Sequence, residues 1–156
     1  IVPFVPRLFS RSRCCSGHIL YKNIDSKYVM RTYTSLDGIT IKVGENAKDN
    51  DVLTDLSYPK EWWLHVADLP GSHVVICHEG DTIPRETKRD AAILAVKHSK
   101  ANGVSMVPVD LVRVEDVVSA KNHGQVHLTK SAMILTVFPN KEAHRLERLL
   151  KTRCVT

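Results

Sequence analysis

Four side chains in the middle of this sequence are the best suited to chemistry: Trp63, His65, Ser72 and His73. Trp63 and His65 are two residues apart, so in a strand both side chains point to the same face, and Ser72 and His73 follow a Pro-Gly pair. Flat rings can stack on nucleic-acid bases, and a backbone-rich turn can present N–H groups to a phosphate. The competing interpretation is that Trp63 belongs to the core, with His65 as its hydrogen-bonded neighbour.

Two catalytic hypotheses draw on the same segment. A zinc site would need ligands at a recurrent spacing, which the histidines and the cysteine of this segment lack. In addition, adjacent residues of a strand point to opposite faces. A serine hydrolase built on Asp68, Ser72 and His73 meets the same objection and has no G-x-S-x-G turn. The residues considered for zinc are His65, His73, Cys77 and His78. We therefore expect no metal, no cofactor and no catalysis.

Positive charge is concentrated at the two ends of the chain. Residues 1–24 hold four bases and no acid, residues 141–156 hold five bases and two acids, and the 116 residues between them hold 13 bases and 15 acids. Basic ends commonly engage nucleic acid, so we expect phosphate contacts from these arginines, although solvated tails are the simpler alternative. The arginines are Arg7, Arg11 and Arg13 at one end and Arg145, Arg148 and Arg153 at the other.

The first 17 residues are rich in arginine, contain serine and lack acids, which is typical of an organellar targeting segment. This predicts a mitochondrial location, with the cytoplasm or a plastid as alternatives. The four cysteines show no framework spacing, which favours a reducing compartment. No apolar run approaches the length of a membrane span, so we expect no membrane insertion.

The elements that must position these residues begin with two hairpins. Residues 28–34 and 39–43 alternate in polarity around the Asp37-Gly38 turn, and this pattern predicts a first hairpin. Residues 62–66 and 73–77 are β-rich and flank Asp-Leu-Pro-Gly, which predicts a second hairpin with a type II turn. Between them, residues 46–56 could form a short helix.

One internal helix is predicted to begin near Pro84 and to end at about Ala101, before Asn-Gly. Its small residues suggest close packing on a sheet. Later strands are predicted in residues 106–114, 117–118, 126–128 and 132–138, followed by a basic helix from Lys141 with a leucine stripe. The predicted fold class is α+β, with hairpin-rich antiparallel sheets, one central helix and a C-terminal helix.

The motif string SLDGITIKVGENAKDNDVLT, then WWLHVADLPGSHVVI, then AILAVKHSKA, resembles the NFACT-R family of RNA-binding modules, which occur in ribosome quality-control factors and as stand-alone proteins. Glu45 stands where the family usually has Arg, and the basic segment before its last strands is reduced here at residues 117–124. Both departures remove positive charge. The motif positions are Ser35, Asp37, Gly38, Ile41, Val43, Gly44, Asn46, Ala47, Asn50, Asp51, Trp63, His65, Pro70, Gly71, Ser72, His73, Val74, Ala91, Ala92, Ser99, Lys100 and Ala101.

The resemblance implies a non-catalytic protein that binds RNA, most simply rRNA, within a ribosome and beside ribosomal proteins. We expect a basic extension over residues 1–27, the RNA-binding domain over 28–139 and a basic helix over 140–156. The alternative is a protein-interaction module whose RNA face is unused. The predicted RNA contacts are Arg7, Arg11, Arg13, Asn46, Asn50, Trp63, His65, Ser72, His73, Lys100, Arg145 and Arg148.

Overall fold

The computed structural model describes residues 30–155, together with the backbone of two short strands nearer the start of the chain. These are β1 (Arg11–Arg13) and β2 (Ile19–Tyr21), which pair antiparallel. The predicted contacts of Arg7, and of the side chains of Arg11 and Arg13, lie outside what the structure describes. No helix in this described part is long and apolar enough to cross a membrane.

A seven-stranded antiparallel sheet forms the centre of the domain, and its strand order is β10-β7-β5-β6-β4-β3-β11. The first predicted hairpin is confirmed as β3 and β4, whose turn has Gly38 at a φ of 79°. The second is confirmed as β5 and β6. The strands are β3 (Met30–Thr34), β4 (Thr40–Gly44), β5 (Trp62–Val66), β6 (Val74–Ile76), β7 (Val107–Arg113), β10 (Met133–Val137) and β11 (Cys154–Val155).

One face of this sheet is covered by two helices, which confirms the α+β class. The central helix α2 (Arg85–Lys97) lies against the sheet, and the C-terminal helix α3 (Ala143–Leu150) packs beside it. Ala91, Ala92 and Ala95 of α2 are completely buried, as their small size predicted. Together with the inward side chains of the strands they form the larger core.

The opposite face carries the short helix α1 (Ala47–Leu56) and a separate hairpin of β8 (Val117–Ser119) and β9 (Val126–Leu128). A smaller apolar cluster lies here, with Trp63 among its buried members and residues of α1, β8 and β9 packed against it. Short 3-10 turns at Val114–Asp116 and Pro139–Lys141 precede β8 and α3. Each face of the sheet therefore has its own core.

The central helix ends four residues earlier than the sequence predicts, at Lys97. The residues that follow turn away to bond with the loop between β5 and β6. The backbone N–H of Ser72 donates to the carbonyl of His98 at 2.9 Å, and the N–H of Lys100 donates to the carbonyl of Pro70 at 3.0 Å. These bonds give the backbone groups partners that a longer helix would have supplied.

The loop between β5 and β6 also differs from the predicted type II turn. The positive φ in this loop, 58°, belongs to Asp68, whereas Gly71 has no positive φ. Gly71 instead permits a close approach, because a Cβ there would lie 2.9 Å from the Cβ of Ser99. The glycine is thus needed for contact with the end of α2, not for turn geometry.

Candidate nucleic-acid interface

A cleft of ≈ 960 Å³ lies on the face of the sheet that carries α1 and the β8–β9 hairpin. Its walls come from the start of α1, the strand β5, the loop after β5, the residues that follow α2, one position of β7 and the β8–β9 hairpin. These segments are distant in sequence, and the order of the strands brings them together. The cleft is the candidate functional site.

Seven of the twelve predicted RNA contacts meet around this cleft. Some of them build its walls, while others present groups to its interior. Ser72 is 8% exposed and acts mainly through its backbone, which holds the loop to the end of α2. The seven residues are Asn46, Asn50, Trp63, His65, Ser72, His73 and Lys100.

The two asparagines are structural. Asn46 caps α1, since its side-chain oxygen accepts from the N–H groups of Lys48 at 3.0 Å and Asp49 at 3.1 Å. Asn50 is 5% exposed; its Oδ1 accepts from the N–H of His73 at 3.0 Å, and its Nδ2 donates to the carbonyl of Gly71. Direct RNA contact by these two residues stays a prediction; in the structure their polar atoms take part in shaping the cleft.

Gly44 packs directly against Asn50, and this contact makes a testable prediction. A Cβ at position 44 would lie 2.2 Å from Oδ1 and 3.0 Å from the backbone N of Asn50. We expect Gly44→Ala to lower the free energy of unfolding by about 1–3 kcal/mol, because the wall must move. Gly80→Ala is the control, since the added Cβ there meets only the ring of His78. Equal losses of stability in urea titrations of the two variants would contradict this account.

Three rings form a cluster in the cleft. Trp63 and His65 stack at 5.7 Å between centroids and 10° between planes, which confirms that they share one face of β5. His73 meets Trp63 edge-on at 5.1 Å. Trp63 is only 2% exposed, so the core interpretation of this residue is correct and it supports the ring of His65 from below. His65 is half-buried, which leaves part of its ring available to a ligand.

The hydrogen-bonding state of His73 follows from its neighbours. The hydroxyl of Thr54 donates to the carbonyl of Asn50 at 2.9 Å, so its oxygen accepts from Nδ1–H of His73, also at 2.9 Å. Burial, and then the proximity of His65, lowers the pKa of His73 to about 4. In the neutral ring Nε2 carries no proton; this buried atom lies near the backbone of Gly124 and makes no hydrogen bond of ordinary geometry with the described residues. The indole N–H of Trp63 is likewise buried without one.

Basic side chains lie around His98, which lines one side of the cleft. Burial lowers the pKa of His98 to about 4, and Arg31, Lys97 and Arg153 lower it further by their charge. Lys97, Arg153 and the neighbouring Lys100 are exposed. Lys97 was not among the predicted RNA contacts, because in the sequence it looks like any solvated residue of a helix.

The interior of the cleft has the opposite charge. Its lining includes three carboxylates, those of Glu45, Asp68 and Asp110, but one ammonium, that of Lys100. Glu45 pairs with Arg31 at 2.7 Å. Burial raises the pKa of Asp110, which lies opposite His65 in the β5–β7 register. An interior of this kind disfavours a phosphate and suits a neutral, planar group.

The β8–β9 hairpin is held over the cleft by a residue that the sequence did not single out as a contact. Asp51 of α1 accepts from the backbone N–H of Gly124 at 2.9 Å, and its other oxygen lies 2.8 Å from Nδ1 of His123. Gly124 has a φ of 76°. Asp51 is one of the motif positions, and the Asn-Asp pair was the available signal.

The arginines of the C-terminal helix, which were predicted to contact phosphates, form ion pairs within the fold. The side chain of Arg145 is 12% exposed and pairs with Asp90 at 2.7 Å, Glu86 at 2.8 Å and Glu142 at 2.8 Å. Arg148 pairs with the same Asp90 at 2.6 Å. These guanidinium groups join α3 to α2, so their charge is already compensated within the fold. Among the described residues, no group of histidines, cysteines and acids is arranged to hold a metal ion.

Comparison with known proteins supports the same kind of site. A family model described as "NFACT protein RNA binding domain" matches residues 28–134. The chain is 35% identical over 125 residues to the "Rqc2 homolog RqcH" of Bacillus subtilis (strain 168), covering 80% of this chain and 21% of that protein. It is 44% identical over 85 residues to the protein of the same name from Streptococcus suis (strain 05ZYH33), covering 53% and 15%.

A solved structure has the same fold. It is the C-terminal part of the fibronectin/fibrinogen-binding protein from Streptococcus suis, with a TM-score of 0.70 and 31% sequence identity. The match covers 82% of this chain and 51% of that one. The chain thus corresponds to about a fifth or less of the length of the curated relatives described above and to about half of the solved one.

Proposed function

Because this chain belongs to the NFACT RNA-binding domain family, we propose that its cleft binds a single-stranded segment of RNA and catalyses no reaction on it. The observation that carries the proposal is the half-buried ring of His65, stacked on Trp63 inside the cleft and close to a basic rim. Proteins that bind single strands usually combine flat side chains, on which bases stack, with a positively charged groove that follows the nucleic-acid backbone.

The phosphates of the strand would lie outside the cleft, on the exposed rim residues Lys97, Lys100 and Arg153. The Coulomb attraction between cations and phosphates supports this placement, as does the acidic interior, which repels them. Lys100 is held at the rim by the bond from its N–H to Pro70. A base directed inward would then reach His65, and the RNA would be bound by stacking as well as by charge.

His65→Ala tests this proposal. We expect it to weaken binding of a fluorescently labelled uridine oligonucleotide by about fivefold or more, since one stacked base contributes roughly 1–3 kcal/mol. Fluorescence anisotropy at fixed ionic strength is the measurement. His144→Ala is the control, because His144 is exposed on α3, a helix that packs on the other face of the sheet. An unchanged affinity in His65→Ala would exclude the cleft as the binding site.

We further propose that the bound RNA is rRNA of a mitochondrial ribosome, beside ribosomal proteins. The composition of the first residues supports the location, and the occurrence of NFACT-R modules in ribosome quality-control factors supports the ribosome. Sedimentation of the tagged protein with ribosomes from isolated mitochondria, with and without RNase, is the test. Co-migration that RNase abolishes is expected; protein that stays at the top of every gradient would refute the ribosomal part.

A second candidate is docking on a protein. On the edge strand β10, Met133 is 53% exposed and Ile134 is 54% exposed, with Phe138 just beyond at 40%. Exposed apolar side chains on an unpaired edge are suited to contact with another protein. Salt separates the two functions, because RNA binding weakens steeply as ionic strength rises whereas apolar docking does not.

A further inference from the structure

Asp110 is an unpaired carboxylate in the cleft. It lies on β7 directly opposite His65 of β5, so the two side chains share a face of the sheet. The group is half-buried, and it makes no hydrogen bond or ion pair with any residue that the structure describes. Burial raises the pKa of Asp110, His65 lowers it and Asp68 raises it. A partly desolvated carboxylate that accepts no hydrogen bond is a candidate for binding a ligand.

The other polar groups of the cleft leave mainly acceptors free. Nε2 of His65 lies 3.3 Å from the carbonyl of Gly71 and donates to it, so Nδ1 is the ring nitrogen that remains for a ligand. His73 is 1% exposed and its Nε2 is buried near the backbone of Gly124, so this nitrogen does not face a ligand. The unpaired indole N–H is a donor, but Trp63 is packed into the smaller core. A ligand that pairs with the free acceptors of this cleft must itself carry hydrogen-bond donors.

Resting on the proposed function, we propose that the cleft selects an unpaired guanine of the RNA, stacked on His65 with its N1–H and N2–H donated to the carboxylate of Asp110. Guanine has two adjacent donors on its Watson–Crick edge, which match the two oxygens of a carboxylate. Adenine and cytosine place a ring nitrogen acceptor beside a single amino group, and uracil places its N–H between two carbonyls. Each of these bases would set an acceptor against a carboxylate oxygen.

The charge of the cleft agrees with a base and not a phosphate as the inserted group. Asp68, on the loop after β5, adds a second carboxylate to the lining, and Lys100 is the one ammonium among the lining residues. The negative charge of these carboxylates attracts the N–H donors of a neutral base, whereas it repels a phosphate. The strand therefore inserts a base and leaves its backbone at the rim.

The test uses the full 156-residue chain and three labelled oligouridines that carry one central G, A or C, compared with oligouridine alone. We expect the G-containing strand to bind about five- to tenfold more tightly than the others, at the low end of what a bidentate pair gives. Asp110→Asn should abolish this preference, so that all four strands bind with equal affinity. An asparagine side chain offers one acceptor and one donor, so it cannot accept both guanine N–H groups.

Asp68→Asn is the matched control. It removes the same charge from the same cleft, and asparagine tolerates the positive φ of position 68. The preference for G should persist in this variant. Equal affinities for all four strands in the unmutated chain would overturn the guanine inference while leaving RNA binding intact, as would a G preference that survives Asp110→Asn. Failure to bind any strand would overturn the proposed function, and the guanine inference with it.

Discussion

Asp90→Asn should lower the free energy of unfolding by about 3 kcal/mol. The side chain of Asp90 is completely buried and accepts from Arg145 at 2.7 Å, from Arg148 at 2.6 Å and from the N–H of Leu36 at 2.9 Å. Removing one partner of a buried ion pair costs about 3–5 kcal/mol, and we expect the low end because the side chain of Arg148 is 32% exposed. Urea-induced unfolding, followed by tryptophan fluorescence, measures the change.

A surface pair provides the control for this prediction. Asp81 pairs with Arg113 at 3.2 Å, but the Asp81 carboxylate is fully exposed, so Asp81→Asn should leave the unfolding midpoint nearly unchanged. Arg145→Gln should share the loss of stability seen in Asp90→Asn and should not change the affinity for RNA. A large loss of RNA affinity in a folded Arg145→Gln variant would show that this arginine contacts phosphate after all.

Stability should fall as the pH is lowered from 7 to 5, and His73 should account for about 2 kcal/mol of the fall. Burial holds its folded-state pKa at about 4, below the value of about 6.5 in an unfolded chain. The unfolded chain therefore takes up the proton first as the pH falls. The contribution is complete above pH 6.5 and is lost progressively towards pH 4. His98, whose pKa is lowered to about 4 chiefly by burial, adds to the same trend.

Carboxylates titrate at lower pH than these histidines, so the contributions of the two kinds of group to the pH dependence of stability can be separated. Burial would raise the pKa of Glu142, but hydrogen bonds from Arg89 and Arg145 hold it below its usual range. Its contribution is present above the unfolded pKa of about 4.3 and is lost as the pH falls further. His73→Gln should reduce the dependence between pH 7 and pH 5 to the part contributed by His98, whereas His144→Gln should preserve it. A free energy of unfolding that is constant over this range would contradict the assignment.

Local patterns predicted most of the fold. Alternation around Asp37-Gly38 predicted the β3–β4 hairpin, and the two-residue spacing of Trp63 and His65 predicted their shared face. The small residues of α2 predicted its close contact with the sheet. These features follow from backbone geometry within a few residues, namely the two-residue repeat of a strand and the 3.6-residue repeat of a helix. The motif string then identified the family, which the comparisons confirmed.

The residues whose surroundings the sequence did not predict are those whose partners lie far along the chain. Arg145 looked like a free cation because Asp90, 55 residues earlier, gives no sign in the sequence that it is buried beside it. Gly71 looked like a turn residue because its contact with Ser99 requires the end of α2 to lie on that loop. In both cases a residue distant in sequence determines what the charge of Arg145 or the small size of Gly71 does in the fold.

Local patterns predicted most of the strands and helices, the family and the segment that holds the rings of the site. The accessibility of those groups depends on the fold, because the strand order β7-β5-β6 sets Asp110 opposite His65 and brings α1 and the β8–β9 hairpin around them. The physical reason is that local conformation depends on neighbouring residues. Burial, pairing of charge and the free hydrogen-bonding capacity of a cleft depend on contacts between segments tens of residues apart.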